Sequence, residues 1–188
     1  MRPNGGVHLK CYRIEKTSEL NKVAAWIAAE QLLQNQSLTL CWSSHHKSTV
    51  DYVTVMLQKR LSNICVAEDE SGKVKAVLYF EFRDEQDKVP EKWATFATTV
   101  IDGDDWAKEN MDTFKELLKL SYGYCCSQGV FKGEFWVLEK IFKCHQEMFG
   151  PDFLSVLEEH NMQPWGNTIR FRIDIKGAME SHGAKDLP

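Results

Sequence analysis

The chain has 188 residues, of which 43% are hydrophobic and 27% charged, and its formal net charge is -4 at pH 7. This length and composition suit a single domain with a buried core, and they exclude a disordered or fibrous chain. The acidic balance argues against a nucleic-acid partner, because such a surface needs clustered lysines and arginines to neutralise phosphates.

No apolar run approaches the roughly 20 residues that a membrane-spanning helix needs. The N-terminal residues Met1 to Gly6 lack the apolar segment of a signal peptide. We therefore expect a soluble protein of the cytoplasm with no membrane partner.

The six cysteines occur at no recognised metal-ligand spacing, and several lie inside apolar runs. That distribution favours small buried thiols in a reducing compartment over disulfides. Two short clusters, Cys41 with His45 and His46 and Cys144 with His145, lack further ligands nearby. The sequence therefore predicts no metal site.

The first third of the chain predicts a strand and two helices. Val7–Glu15 has the alternation of a strand, and an apolar i, i+3, i+4, i+7 stripe predicts a helix over Glu19–Gln34. A connector follows over residues 35–47. Ser48 with Asp51 then forms a capping box, which begins a second amphipathic helix.

The clearest pattern in the sequence is a β-hairpin between Ile64 and Phe82. Two apolar arms flank a polar tract that contains Ser71-Gly72, a strong turn signal. From Val74 onwards the second arm alternates with period 2, as a strand with one well-buried face does.

Another strand, an acidic turn and a helix follow the hairpin. Lys92–Ile101 is dense in β-branched and aromatic residues, which favour strands. Asp102–Trp106 forms the turn. The helix after it is predicted from its apolar residues, which are Met111, Phe114, Leu117, Leu118 and Leu120.

The last third of the chain is less clearly patterned. Val130–Val137 favours a short strand, although apolar residues at helical spacing leave an early helix open. Pro151 at a first helical position predicts a helix that extends through His160. Asn167–Lys176 alternates cleanly and predicts the last strand, and a polar tail follows over residues 177–188.

In order, these elements give β-α-α-β-β-β-α-β-α-β. This succession resembles the GNAT family of acetyl-CoA-dependent N-acyltransferases, whose α/β (α+β) fold has a mixed central sheet flanked by helices. The resemblance is carried by I-C-V-A-E-D-E-S-G-K-V-K-A-V-L-Y-F-E-F and by L-E-E-H-N-M-Q-P-W-G-N-T-I-R-F-R-I-D-I. It implies one GNAT-like domain over residues 1–176.

The resemblance also implies a donor and the residues that would bind it. The donor is acetyl-CoA, and the backbone of Thr98, Thr99 and Val100 would hold its pantetheine arm as an added strand would. Gly103 and Lys108 lie where the family binds the pyrophosphate of the donor.

The pyrophosphate loop departs from the family pattern. The family has R/Q-x-x-G-x-G/A at a helix N-terminus, where glycines and free amides accommodate the phosphates. This chain has D-G-D-D-W-A-K-E from Asp102, and Asp104 or Asp105 can cap the helix itself. The departure predicts weak or atypical binding of acetyl-CoA.

The catalytic residues implied by the resemblance depart from the family pattern as well. The family has a tyrosine near the end of its penultimate helix, which protonates the departing thiolate, and Leu157 occupies the aligned position. His160, one turn later, is a substitute candidate. Glu81, His45 and His46 are candidates for a general base that takes a proton from the amine.

Two functions therefore remain open. The first is an N-acyltransferase with an atypical donor site and an amine acceptor. The second is an inactive structural or interaction protein with the same fold, similar to the acetyltransferase-like proteins packed in the virions of short-tailed bacteriophages. Its location would then be the virion or host cytoplasm, with a protein partner or a homo-oligomer.

A nucleic-acid-binding module is a third, less favoured class. Arg170, Arg172 and Lys176 align on one face of the last predicted strand and could contact a phosphate. A row of this kind is more typical of a solvated face, so no nucleic-acid partner is predicted.

Overall fold

The fold is described by a computed structural model over part of the chain. The described residues are 9–15, 19, 62–84, 92–101, 110–162 and 166–181. Apart from Glu19, the two predicted helices before the hairpin and the connector between them lie outside these residues, and so does the acidic turn.

In the described part of the chain, seven strands form one sheet in the order β1-β2-β3-β4-β5-β7-β6. The strands are β1 Lys10–Arg13, β2 Ser62–Glu68, β3 Val74–Asp84, β4 Lys92–Ile101, β5 Lys132–Leu138, β6 Leu154–Met162 and β7 Gly166–Asp174. The helices are α1 Met111–Ser127, α2 Glu139–Phe149 and α3 Ile175–Ser181. β4 and β5 pair in parallel and the other pairs are antiparallel, so the predicted mixed sheet with helices is confirmed.

The predicted hairpin is confirmed as β2 and β3, and its turn is organised by Asp69. The Asp69 carboxylate accepts hydrogen bonds from the backbone amides of Ser71 and Lys73, at 2.9 and 3.0 Å. Gly72 has φ of 76°, a left-handed conformation that glycine adopts at little cost. The Ser71 hydroxyl also donates a hydrogen bond to this carboxylate, and that bond is the largest cause of the lowered pKa of Asp69. The bonds from the two backbone amides lower the pKa further.

One face of the sheet is covered by α1 and α2 and contains an aromatic column. The rings of Phe96 and Phe135 are stacked with centroids 4.3 Å apart, and Phe135 stacks on Phe171 at 5.1 Å. Tyr122 of α1 meets Phe96 edge-on at 5.5 Å. Burial contributes about 1.5–3 kcal/mol for each such ring, so the column ties β4, β5 and β7 to the helices.

The opposite face of β2 and β3 is buried too. Ile64, Val66 and Val77 are fully buried, and Tyr79 and Glu81 beside them are almost as well covered. The predicted alternation along β3 is correct, but both faces of the hairpin are covered, whereas one well-buried face was expected. Strands buried on both faces are typical of sheets with layers on either side.

The helix predicted from Pro151 through His160 is wrong. Only Pro151–Phe153 is helical, as a 3-10 turn, and the chain continues as β6. β6 pairs with β7 from Leu154↔Ile173 to Met162↔Gly166. The pairing satisfies backbone groups along one side of β7, and this tertiary gain outweighs the local helical spacing of the apolar residues.

The end of the chain also differs from the prediction. The last strand ends at Asp174 rather than Lys176, and α3 follows it. Ala178 and Met179 of α3 are buried in the main core. No described helix has the length and apolar character that crossing a membrane requires.

Candidate functional site

The main candidate site is an opening between β4 and β5. Their parallel pairing runs from Trp93↔Lys132 to Phe96↔Phe135. Beyond that point β4 stays paired with β3 up to Ile101, while β5 stays paired with β7 up to Leu138. No β4–β5 pair is formed between residues 97–101 and 136–138 of the described chain. We call this opening the β4–β5 cleft.

A β-bulge lies where the cleft begins. Tyr79 pairs with Thr98 and Glu81 pairs with Thr95, so Phe96 and Ala97 together lie opposite one β3 residue. A bulge bends its strand and increases the local twist. It therefore gives a physical reason why β4 leaves β5 at this position.

The cleft exposes hydrogen-bonding backbone to any ligand that enters it. The predicted donor-binding residues lie on the part of β4 that has separated from β5. They are Thr98, Thr99 and Val100, and on the side away from the cleft they pair with β3. Backbone N–H and C=O groups that face the cleft require partners. An extended ligand with amide groups can supply them as an added strand does.

The vertex of the cleft is closed on the helical face. The stacked Phe96 and Phe135 rings lie there, and Tyr122 and His145 pack against Phe135 from α1 and α2. His145 is fully buried, and its Nδ1 lies 2.9 Å from the Ile141 carbonyl oxygen. Among the described residues, the helical side of the vertex is therefore closed to a small molecule, and the opposite face of the sheet is the remaining side.

Glu81 lies on that opposite face beside the vertex. It is 4% exposed and accepts a hydrogen bond from Tyr79 Oη. Glu81 pairs with Thr95 of β4, and Thr95 pairs in turn with Glu134 of β5. A buried carboxylate at this position can accept a proton, so the structure places the predicted base candidate Glu81 next to the cleft.

A set of paired charges continues from Glu134 across β7 to β6. Glu134 binds Arg170 at 2.7 Å and Arg172 at 3.4 Å, and Arg170 also binds Glu158 at 3.1 Å. We call this part of the sheet the charged face. It consists of Glu134, Glu158, Arg170 and Arg172, together with Trp136 of β5. A hydrogen bond from His160, more than the Arg170 charge, lowers the pKa of Glu158.

The other predicted catalytic residues are not brought to Glu81. His160 lies on β6, not at a helix end, and its side chain is 49% exposed. It contacts Glu158 at 3.3 Å, and β4, β5 and β7 separate its strand from β3. Leu157, aligned with the family tyrosine, is exposed on the same strand, so that helical alignment is wrong. His45, His46, Gly103 and Lys108 lie outside the described residues.

Sequence reasoning missed Glu134 and Trp136. Both lie on β5, and their side chains alternate with the buried Gly133 and Phe135. Trp136 is the first β5 residue past the last β4–β5 pair and is 37% exposed. The alternation was visible in K-G-E-F-W-V-L, but the competing helical spacing of the same stretch obscured it.

Two of the described cysteines, Cys11 and Cys65, are held in the thiol form. Burial raises the pKa of Cys11 and of Cys65 to about 12, so both stay protonated at neutral pH. Among the described residues, no three histidine, cysteine or acidic side chains are grouped as metal ligands would be.

Comparison with solved structures identifies proteins of similar fold. A spermidine N-acetyltransferase from Vibrio cholerae, solved in complex with CoA and spermine, superimposes with a TM-score of 0.58 at 10% identity. The alignment covers 91% of this chain and 98% of that chain. An acetyltransferase of the GNAT family from Staphylococcus aureus Mu50 gives a TM-score of 0.60 at 9% identity, with coverage of 89% and 99%.

The sequence matches no protein-family model and no curated protein. At these identities the structural likeness establishes the fold alone. The chain therefore has a GNAT-like fold, which confirms the predicted fold class.

Proposed function

We propose that this GNAT-like chain is an N-acyltransferase that binds an acyl-CoA in the β4–β5 cleft and transfers the acyl group to an amine. The observation that carries the proposal is the end of β4–β5 pairing at Phe96↔Phe135, beside a bulge in β4. The Vibrio cholerae enzyme of similar fold was solved with CoA and spermine, which supports an acyl-CoA donor and an amine acceptor here.

In this proposal the donor enters as an extended arm along β4. The pantetheine amides pair with backbone groups of Thr98, Thr99 and Val100, so the arm fills the gap that β5 leaves. The thioester then lies at the vertex, where the Phe96 and Phe135 rings close the helical side. Water is excluded on that side, and the amine approaches from the other.

Glu81 is the proposed general base. The ammonium form of the acceptor gives its proton to the carboxylate, and the free amine attacks the thioester carbonyl carbon. The new C–N bond forms as the C–S bond breaks, and the CoA thiolate leaves with the electron pair of that bond. As the amide forms, the nitrogen loses its second proton to solvent, and the thiolate takes up a proton from solvent.

The acidic turn bears on the strength of donor binding. Asp102, Asp104 and Asp105 precede the helix whose N-terminus would receive the pyrophosphate. Each close carboxylate–phosphate pair costs about 1 kcal/mol even at solvent-like dielectric, and Lys108 offsets one of them. We therefore propose a weakened donor site in an otherwise open cleft.

Calorimetric titration with acetyl-CoA tests the proposal. We expect saturable binding in the micromolar to submillimolar range and slow acetylation of simple amines, measured as thiol release. Glu81→Gln is the informative variant, because it should keep the donor affinity of the wild type and lose turnover.

The same titration tests the alternative function. The acidic turn is the specific feature that favours an inactive structural or virion protein, since it lacks the glycines of the family loop. The absence of any heat at millimolar acetyl-CoA would reject the transferase and favour that alternative.

A further inference from the structure

We propose that Tyr79 is a positioning residue for the general base, because its hydroxyl fixes the orientation of the Glu81 carboxylate beside the cleft. This inference rests on the proposed transferase function and adds a residue to the same site. It is drawn from the register of β3 and β4 around the bulge and from the hydrogen bond between the two side chains.

Tyr79 and Glu81 lie on either side of the bulge in β4. Tyr79 pairs with Thr98, beyond the last β4–β5 pair, whereas Glu81 pairs with Thr95, where β4 and β5 are still joined. Both side chains point to the face opposite α1 and α2, since Phe80 between them belongs to the core on the helical face. The two residues therefore span the point at which the cleft begins.

The hydrogen bond within this pair constrains the carboxylate. The Tyr79 hydroxyl donates to Glu81 Oε1, and both residues are 4% exposed. Taking a carboxylate out of water is costly unless donors replace the lost water, and the hydroxyl offsets part of that cost. The terminal torsion of a glutamate has a broad minimum, so packing or a hydrogen bond must set the plane of its carboxylate. The Tyr79 hydroxyl sets that plane.

Glu81 takes the proton, and Tyr79 stays a donor throughout the reaction. The ammonium group of the acceptor gives one proton to the carboxylate, and the O–H bond of Tyr79 is not broken in that step. Glu134, the next carboxylate across the sheet, belongs to the charged face and is held by Arg170 and Arg172. An amine would have to compete with both guanidinium groups for Glu134, so Glu81 is the better placed base.

Tyr79→Phe tests the inference, because it removes the hydroxyl and keeps the buried ring. Acetyl-CoA is the donor, and the acceptor is the simple amine that the wild type acetylates fastest. We expect kcat to fall about tenfold to a hundredfold, while KM for the amine and the calorimetric Kd of acetyl-CoA change less than about twofold. A defect in packing alone would raise KM or Kd together with any loss of kcat, and that result would overturn the inference.

A double-mutant cycle shows whether Tyr79 acts through Glu81. In the Glu81→Gln background there is no carboxylate to orient, so Tyr79→Phe should lower the residual kcat less than about twofold. A further loss of about tenfold in that background would show that Tyr79 acts independently of Glu81, and it would overturn the inference.

Tyr12→Phe is the matched control. Tyr12 also donates to a glutamate, with its Oη 2.7 Å from Glu68 Oε1, but this pair lies on β1 and β2 and β3 separates it from the cleft. Removal of the Tyr12 hydroxyl should leave kcat and KM unchanged. Equal losses of kcat in Tyr12→Phe and Tyr79→Phe would reject a specific role for Tyr79.

The wild type separates this inference from the proposed function. If the wild type binds no acetyl-CoA or acetylates no simple amine, the transferase fails and the inference fails with it. If the wild type turns over and Tyr79→Phe keeps its kcat, the transferase stands and only the positioning role of Tyr79 is rejected.

Discussion

At the scale of single residues, buried polar groups are the least predictable part of this chain. His145 is fully buried against Phe114, Phe135 and Phe171, and the described residues provide no hydrogen-bond partner for its Nε2. Burial lowers the pKa of His145 from 6.5 to about 4. The residue is therefore a neutral part of the core, although the sequence placed it beside Cys144 as a possible metal ligand.

The lowered pKa of His145 predicts an acid-labile fold. The unfolded chain binds a proton near pH 6.5 and the folded chain only near pH 4, so stability is lost as the pH falls through that window. The loss should approach about 3 kcal/mol. Urea unfolding at pH 7 and pH 4.5 measures it. His145→Phe should reduce the difference between the two pH values by most of that amount.

His160→Gln is the control for this measurement, because its side chain is 49% exposed and outside the core. It should keep the wild-type dependence on pH. If His145→Phe also keeps that dependence, the acid sensitivity arises from other groups.

The sequence predicted on which face of β3 the base candidate Glu81 lies, but not which residues of other strands lie near it. Period-2 alternation along β3 correctly placed it on the face opposite Leu78 and Phe80. Its closeness to Thr95 and Glu134 depends on the pairing of three strands, and pairing partners are not encoded locally. Glu134 and Trp136 were missed for the same reason.

At the scale of elements, strong local patterns were predicted well. β4 was predicted with the bounds that it has, Lys92–Ile101, because β-branched and aromatic residues fill it. The hairpin was identified because Asp69-to-Lys73 contains its own turn chemistry, in which Asp69 accepts backbone hydrogen bonds. Element type is predictable where the local and tertiary preferences agree.

β6 was missed because its local and tertiary preferences differ. Leu154 and Leu157 have helical spacing with Phe153, and Pro151 is a typical helix start. In the structure a bulge between Val156 and Glu158 interrupts the strand, so its alternation is imperfect. A weak period-2 signal and a helical one then compete, and only pairing with β7 decides between them.

The junction of β4 and β5 should be intolerant of added volume. A Cβ atom at Gly133 would lie 2.9 Å from Phe96 Cε2 and 3.0 Å from Ile173 Cγ2. Gly133→Ala should therefore destabilise the protein by about 1–3 kcal/mol, since the stacked Phe96 ring cannot move without disturbing its column. Because Phe96 ends the β4–β5 pairing, donor affinity should fall as well.

Chemical denaturation of Gly133→Ala tests that prediction. Ser155→Ala on the exposed part of β6 is the matched control, and its free energy of unfolding should change by less than about 0.5 kcal/mol. An equal, small effect of both substitutions would show that the junction has room to relax.

At the scale of the whole molecule, the open cleft and the acidic turn act in opposite directions on donor binding. In the proposed function, the cleft offers β4 backbone that has no β5 partner among the described residues, and the acidic turn would bring carboxylates near the phosphates. Asp104→Gly combined with Asp105→Gly should strengthen acetyl-CoA binding roughly tenfold, since two repulsive carboxylate–phosphate pairs are removed. Calorimetry at low and high salt measures the gain, which should shrink as salt screens the charges.

Asp152→Asn is a control that removes one negative charge away from the turn, because Asp152 is exposed on the 3-10 turn after α2. It should leave the donor affinity unchanged. An unchanged or weaker affinity in the double glycine variant would show that the acidic turn is not what limits binding.

The sequence by itself determined the run of elements from the hairpin through β4 and α1 to β5, the hairpin turn and which side chains of β3 share a face. These follow from periodicity and turn chemistry, which act over a few neighbouring residues. Only the tertiary structure decided that β4 and β5 part after Phe96 and Phe135, that residues 154–162 form a strand, and that Glu81 and Trp136 border one cleft. Such outcomes depend on contacts between residues far apart in the chain, and no local pattern specifies them.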